Sequence, residues 1–307
     1  MKINSFTKKT LLASIFVTIL IASCKKDNST NSNNPPPPPP VQNNDSSAAA
    51  MSSQKATADN AYNDVLQVAL ESGSDNKIAY MVSMAKNGQV QTNSAQSGVA
   101  VNGLLTCATY TVSPADTTTF PKTLTVDFGS GCTSTDGIPR KGKITFLLSG
   151  KMLMPGTTIS ATFTNYSVNG YQLEGTYSIT NISTIAAIAY TTQIADGKIT
   201  FPNAIYYNYA GNHKIKMTAG MLTPTDLTDD VYSIGGSGTF STSAGDSIVD
   251  SITTLLSKSY TCKYISSGII SFTYNSTISG TLDFGNGTCD QFATITVGQA
   301  SKDYVLP

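Results

Sequence analysis

Residues able to do acid–base chemistry are scarce in this chain of 307 residues, and their identities narrow what it could catalyse. The only histidine is His213, and the only glutamates are Glu71 and Glu174. A Ser-His-Asp triad would have to use His213, yet no serine sits in a G-x-S-x-G elbow. The segment His213-Lys214-Ile215-Lys216-Met217 alternates and reads as a strand with the histidine turned to solvent. Glycoside hydrolysis needs two facing carboxylates, one with a raised pKa. The glutamates fit poorly, because Glu71 falls on an expected helix. Asp127 and Asp283 each open an Asp-Phe-Gly triplet. In phosphoryl-transfer enzymes that triplet holds magnesium only alongside a glycine-rich loop, a strand lysine and a catalytic loop, and none of these is present. The triplets read instead as strand ends, with Phe buried, Asp outward and Gly opening a turn, which leaves both carboxylates placed to flank a sugar. Tyr206, Tyr207 and Tyr209 cluster and could stack on such a ring, although tyrosine equally packs sheets. No catalytic residue, metal site or cofactor site is expected; calcium would need an Asp-x-Asp loop that the chain lacks.

The cysteines sort by position. Cys24 follows a short apolar run, while Cys107, Cys132, Cys262 and Cys289 lie far downstream. The stretch from Cys107 through Leu124, Asp127, Phe128 and Gly129 to Cys132 is echoed by Cys262, Leu282, Asp283, Phe284, Gly285 and Cys289. Such an echo predicts a repeated unit of strand, loop, strand and glycine-rich turn. It favours disulfides Cys107–Cys132 and Cys262–Cys289 over a zinc site, since no CxxC spacing is present.

The chain opens with Lys2, Lys8 and Lys9, runs through an apolar stretch from Leu11 to Ala22, and reaches Ile21-Ala22-Ser23-Cys24. About twelve apolar residues are too few to span a bilayer as a helix, for which roughly 20 are needed. Small residues before a cysteine form a lipobox, and in this the chain resembles bacterial lipoproteins. The resemblance implies cleavage before Cys24, a diacylglyceryl thioether on its sulfur and an acyl chain on its new amino group, an anchor that attaches the protein to a membrane. Lys25 in place of aspartate leans towards the outer membrane, with the periplasmic or cell-surface leaflet left open. Residues 24–56 are rich in Asn, Ser and Ala around the run Pro35–Pro40. They bury little apolar surface and read as a disordered tether holding roughly 19 Å of polyproline spacer.

Residues 57–307 form the remaining domain. Hydrophobic residues make up 40% of the chain and charged ones only 12%, with Lys+Arg 19 against Asp+Glu 19, so there is no basic footprint for nucleic acid or for a polybasic membrane contact. A surface of Ser, Thr, Asn and Gln suits neutral partners such as glycans. From Thr57 to Glu71 apolar residues recur at the helical period, with Thr57 as N-cap and Gly73 past the end. Thereafter the period is two: Leu124–Phe128, Ile144–Leu148, Ile159–Phe163 and further segments to Phe292–Val297 read as strands, and Asn169-Gly170 marks a type I′ hairpin. Many short strands without intervening helices predict an all-β, antiparallel domain with one N-terminal helix, either a two-sheet sandwich or a curved half-open barrel.

With its NYSVNGYQLEGTYSITN hairpin, DDVYSIGGSGTF strand and TLDFGNGTCD turn, the chain is similar to the cell-envelope lipoproteins of Bacteroidota. That similarity implies an envelope location but brings no catalytic residue or substrate. The expectation is a non-enzymatic binding or structural β domain whose partner is a glycan, a lipid or an envelope protein. The alternatives are a hydrolase with an aspartate-based site and a lipid carrier using the concave face of a curved sheet.

Overall fold

The computed structural model describes residues 45–74, 78–79, 81, 91–92, 107–223, 226 and 228–306. The leader, Cys24 and the proline run lie outside the described residues. The long helix α1 (Asp45–Ser72) precedes the strands β1 (Gln91–Thr92), β2 (Thr109–Ser113), β3 (Lys122–Asp127), β4 (Cys132–Thr133), β5 (Pro139–Leu148), β6 (Thr158–Val168), β7 (Tyr171–Asn181) and β8 (Ala189–Thr200). They continue as β9 (Tyr206–Ala219), β10 (Val231–Ser241), β11 (Ser247–Ser259), β12 (Ser267–Tyr274), β13 (Ile278–Asn286), β14 (Phe292–Val297) and β15 (Ala300–Val305). All pairings are antiparallel, and the strands follow chain order from β1 to β15 in one sheet, with β4 a short side branch on β5. It is therefore one open sheet, neither a two-sheet sandwich nor a closed barrel.

The sheet wraps α1: the helix touches β6 and β7 as well as β11, β13 and β14. Register shifts interrupt the pairing at several points, among them between Lys141 and Lys143, Glu174 and Thr176, and Ile234 and Ser237. An extra residue on one strand of a pair kinks it and increases its twist. At Gly236 the bulge needs φ of 144°, and the absent side chain leaves room for His213 beside it.

The helix differs from its expected extent. Residues Asp45–Ala56, read as tether, are helical, and Thr57 is not a cap: its hydroxyl donates to the Ser53 carbonyl at 3.1 Å and meets the Tyr304 hydroxyl at 2.7 Å. The cause is a stripe of small and polar side chains, Ala48, Met51, Ser52, Lys55 and Ala56, all buried at the i, i+3, i+4 spacing of a helix face. Polar Ser52 and Lys55 mask the stripe in a count of apolar residues. Gly73 ends the helix as expected, its N–H bonded to the Ala69 carbonyl at 2.8 Å.

At the centre of the core, Tyr62 of α1 stacks on Tyr209 with ring centroids 4.9 Å apart, and its hydroxyl donates to the Glu174 carbonyl at 2.8 Å. The expected hairpin is present, with Asn169 at φ 51° and Gly170 at 83° between paired Val168 and Tyr171. Both disulfides form as the repeat predicts, Cys107–Cys132 and Cys262–Cys289, each closing the open end of a hairpin, β2–β3 in one case and β12–β13 in the other.

Candidate functional site

The residues singled out from the sequence do not converge. Asp127 and Asp283 lie on β3 and β13, which are not neighbours in the sheet, and each carboxylate accepts the N–H two residues ahead at 2.8 Å, from Gly129 and Gly285 respectively. Phe128 and Phe284 are buried, so the triplets are turn-forming strand ends. Asp127 also pairs with Lys143 at 2.8 Å. Strand alternation splits the tyrosine cluster. Tyr206 points outward with the Lys198 ammonium 5.1 Å from its ring centroid, whereas Tyr207 stacks on Phe240 at 4.5 Å and Tyr209 is buried against α1.

His213 is corrected as well. It shares strand parity with buried Ile215 and Met217, so it faces the concave side rather than solvent, while Lys214 and Lys216 face outward. Burial pushes its pKa below the usual histidine value, nearby Lys55 adding to the effect and Asp59 opposing it.

The interior holds ionic clusters organised by α1. Lys55 bonds both Asp59 oxygens at 2.9 Å and pairs with Asp250 at 2.9 Å, and the Tyr209 hydroxyl donates to Asp59 at 2.5 Å. Past Asp59 on the helix, Asp64 receives Arg140 Nε at 2.9 Å, Arg140 Nη2 at 2.5 Å and the Tyr166 hydroxyl at 2.6 Å, while Asp136 pairs with Arg140 at 2.7 Å. Near the helix C-terminus, the Tyr260 hydroxyl donates to Glu71 at 3.0 Å. Burial and Asp64 together push the Tyr166 hydroxyl well above its ordinary value. For Arg140, burial works to lower the pKa and Asp64 more than reverses it. Burial also pushes the Asp250 carboxyl up, to about 6, against the pull of Lys55. Removing one partner of such a buried pair strands the other, so these contacts fix α1 in one rotation and one axial register.

No family model, curated protein or solved structure matches this chain. The concave face is occupied by α1 and its ion pairs, and the Asp250 side chain beneath the helix is only 1% exposed. Among the described residues no group of His, Cys, Asp and Glu could hold a metal ion, and no helix is long and apolar enough to cross a membrane.

The outward face is different. Cross-strand partners run without a break from Ser113 and Thr123 through Leu147, Ser160, Ser178, Gln193, Asn212, Ser237, Ser251, Ser271, Thr281 and Thr296 to Ser301. This row crosses β2 to β15 with hydroxyls and amides, one leucine and no charge, and every member is exposed or half-buried. A shallow groove of about 620 Å³ lies on it around Ser251, Ser271 and Thr281, and another of about 380 Å³ around Ser178, Gln193 and Asn212. Both are large enough for a sugar unit.

A smaller crevice opens beside α1. Asn60, Asn63, Asp64 and Gln67 of the helix meet Asn169 and Tyr171 at the β6–β7 turn, with Lys258 and Lys263 arriving from the end of β11 and the connection that follows it. Its room is about 30 Å³. Sequence reading missed both this crevice and the ionic clusters. One signal was present: Arg140 is the only arginine in a chain whose other cations are lysines.

Proposed function

We propose that this chain is a lipid-anchored cell-envelope protein whose β domain binds a neutral, hydroxyl-rich glycan on its convex face and performs no chemistry on it. The observation that carries the reading is the uncharged row of Ser, Thr, Asn and Gln, interrupted only by Leu147, across thirteen strands from β2 to β15, with grooves of about 620 and 380 Å³ along it. A neutral polysaccharide offers many weak hydrogen-bonding groups and no charge, and a long file of hydroxyls and amides matches it, with Lys214 the one cation lining the smaller groove. A lipid carrier would have to expel α1 from the concave face, against the buried pairs of Lys55 and Arg140. A hydrolase would need a carboxylate reachable by substrate, whereas the one with a strongly raised pKa, Asp250, lies under the helix. The lipobox at Cys24, followed by a polar, proline-rich stretch, supports an anchor in the outer membrane with the domain held away from the bilayer.

Two measurements test the reading. The full chain is screened on an array of neutral and acidic polysaccharides, and Gln193→Lys and Ser251→Lys are then tested against whatever is retained. Loss of binding by about tenfold or more in either variant is expected, since each places a solvated charge in a groove. Retention of no neutral glycan, or unchanged binding by both variants, sinks the glycan reading. Separately, metabolic labelling with a fatty acid in a bacterial host is expected to mark the wild type and not Cys24→Ala; equal labelling of the two removes the anchor.

A further inference from the structure

We propose that the crevice between α1 and the β6–β7 turn is a binding site for a carboxylate, the acid group of a sugar such as a uronic acid. The choice of a sugar as the bearer rests on the glycan reading above, extended to a largely neutral chain that carries an acidic unit at its end or on a branch, whereas the acid site itself stands on its own geometry.

The charge of the crevice is set by its two lysines. Asp64 is the one acid lining it, and both Asp64 oxygens are already taken by Arg140 and the Tyr166 hydroxyl. The Lys258 ammonium donates to the Cys262 carbonyl, and Lys263 lies 5.2 Å from the Tyr264 ring; neither forms an ion pair with an acid among the described residues. Burial pushes the Lys258 amine down to about 8, with Asp64 opposing and the smaller effect of Lys263 adding to it. The half-buried Asn60, Asn63 and Gln67 line the same crevice, their side-chain amides without a hydrogen-bond partner among the described residues, and Asn169 adds another amide. Two ammonium groups and a set of unengaged amide donors lining one crevice make a receptor for anionic oxygens.

Size selects the form of the ligand. Room of about 30 Å³ corresponds to two or three waters, at roughly 10 to 15 Å³ each. A carboxylate head fits and a whole pyranose does not, so the ring of an acidic sugar would rest on the lip. There the half-buried Tyr171, held edge-on to Phe201 at 5.0 Å, offers a flat apolar surface.

The test uses the ¹⁵N-labelled full chain at low ionic strength and pH 6.5, with side-chain amide signals followed during titration with sodium acetate, neutral acetamide, glucuronate and glucose. Acetate and glucuronate are expected to shift the amides of Asn60, Asn63 and Gln67 in a saturable way, and acetamide and glucose are not. Lys258→Met and Lys263→Met, each checked for an unchanged far-UV spectrum and melting point, are expected to weaken acetate binding roughly tenfold or more, the worth of one charge-assisted hydrogen bond. Lys198→Met, outside the crevice, is expected to leave it unchanged. Acetamide acting like acetate, the absence of any saturable shift, or wild-type acetate binding by both crevice variants overturns the acid site, whatever the convex face does with neutral glycans. Glucuronate binding no tighter than acetate overturns the sugar as bearer while leaving the acid site in place.

Discussion

Replacing Arg140 by methionine isolates one of the buried ion pairs that fix α1 within the sheet. The Arg140 side chain is 0% exposed and holds Asp64 at 2.5 and 2.9 Å and Asp136 at 2.7 Å, with both acids only 5% exposed. Arg140→Met keeps much of the side-chain volume but leaves two carboxylates in the interior without their cation. Breaking a buried ion pair from one side costs about 3 to 5 kcal/mol, because the stranded charge cannot recover its hydration. For a domain of this size each kcal/mol moves the melting temperature by about 2 to 4 °C, so a drop of roughly 6 to 20 °C is expected. Differential scanning calorimetry at pH 7 measures it. Adding Asp64→Leu to Arg140→Met removes one of the stranded charges and is expected to return part of the loss, which additive independent sites would not do. A fall of less than 2 °C in the single variant, or a double variant whose loss is the sum of the two singles, would refute the claim that this pair docks the helix.

Three further outcomes follow from the same contacts. Replacing both cysteines of Cys262–Cys289 by alanine opens a loop of sequence separation 27 and is expected to cost about 3.5 kcal/mol in the chain-entropy model, read as a lower urea midpoint. At Asn169-Gly170, Gly170→Ala places a side chain at φ 83° and is expected to cost about 1 to 2 kcal/mol by the same measurement, while Ser243→Ala in another turn, where the serine is exposed, costs little. The third concerns pH. Because Asp250 has its folded pKa raised to about 6, its contribution to stability is fully present below the unfolded carboxylate value and is lost as pH rises through 6. His213, with its folded pKa lowered, acts the other way, withdrawing stability as pH falls below its ordinary value. In the difference between wild type and Asp250→Asn the histidine cancels, so the variant should gain stability relative to wild type between pH 4 and 7; a flat difference curve contradicts the burial of that carboxyl.

The strands were legible because each rests on a local signal. Period-two alternation, the Asn169-Gly170 turn and the duplicated Asp-Phe-Gly turns need no knowledge of distant contacts, and the echo between Cys107–Cys132 and Cys262–Cys289 identifies both disulfides. The helix is legible only in its apolar half. From Asp45 to Ala56 its buried stripe includes Ser52 and Lys55, residues that read as solvated until Asp250 on β11 is seen to face them. For His213, polarity suggests solvent where strand parity with Ile215 and Met217 requires the interior, and parity wins. The sheet partners that hydrogen-bond Asp59, Asp64 and Glu71 lie between 76 and 189 residues away in the chain, and no local pattern encodes such pairings. Tyr206, Tyr207 and Tyr209 show the same limit in a simpler form, since residue type marks them for a ligand and alternation sends two of the three inward.

The occupation of the concave face by α1 underlies the rest, because it directs recognition to the convex face and to the crevice at the helix flank. Hydrogen exchange of the full chain, followed by mass spectrometry over the peptides covering Met51–Ser72, tests it directly. Those amides should exchange only by global unfolding, as slowly as the central strands β7 to β9, and should be unaffected by added fatty acid or phospholipid. Exchange at the rate of a free peptide, or deprotection of the helix when lipid is added, would show that the helix leaves the sheet and that the concave face is the working surface.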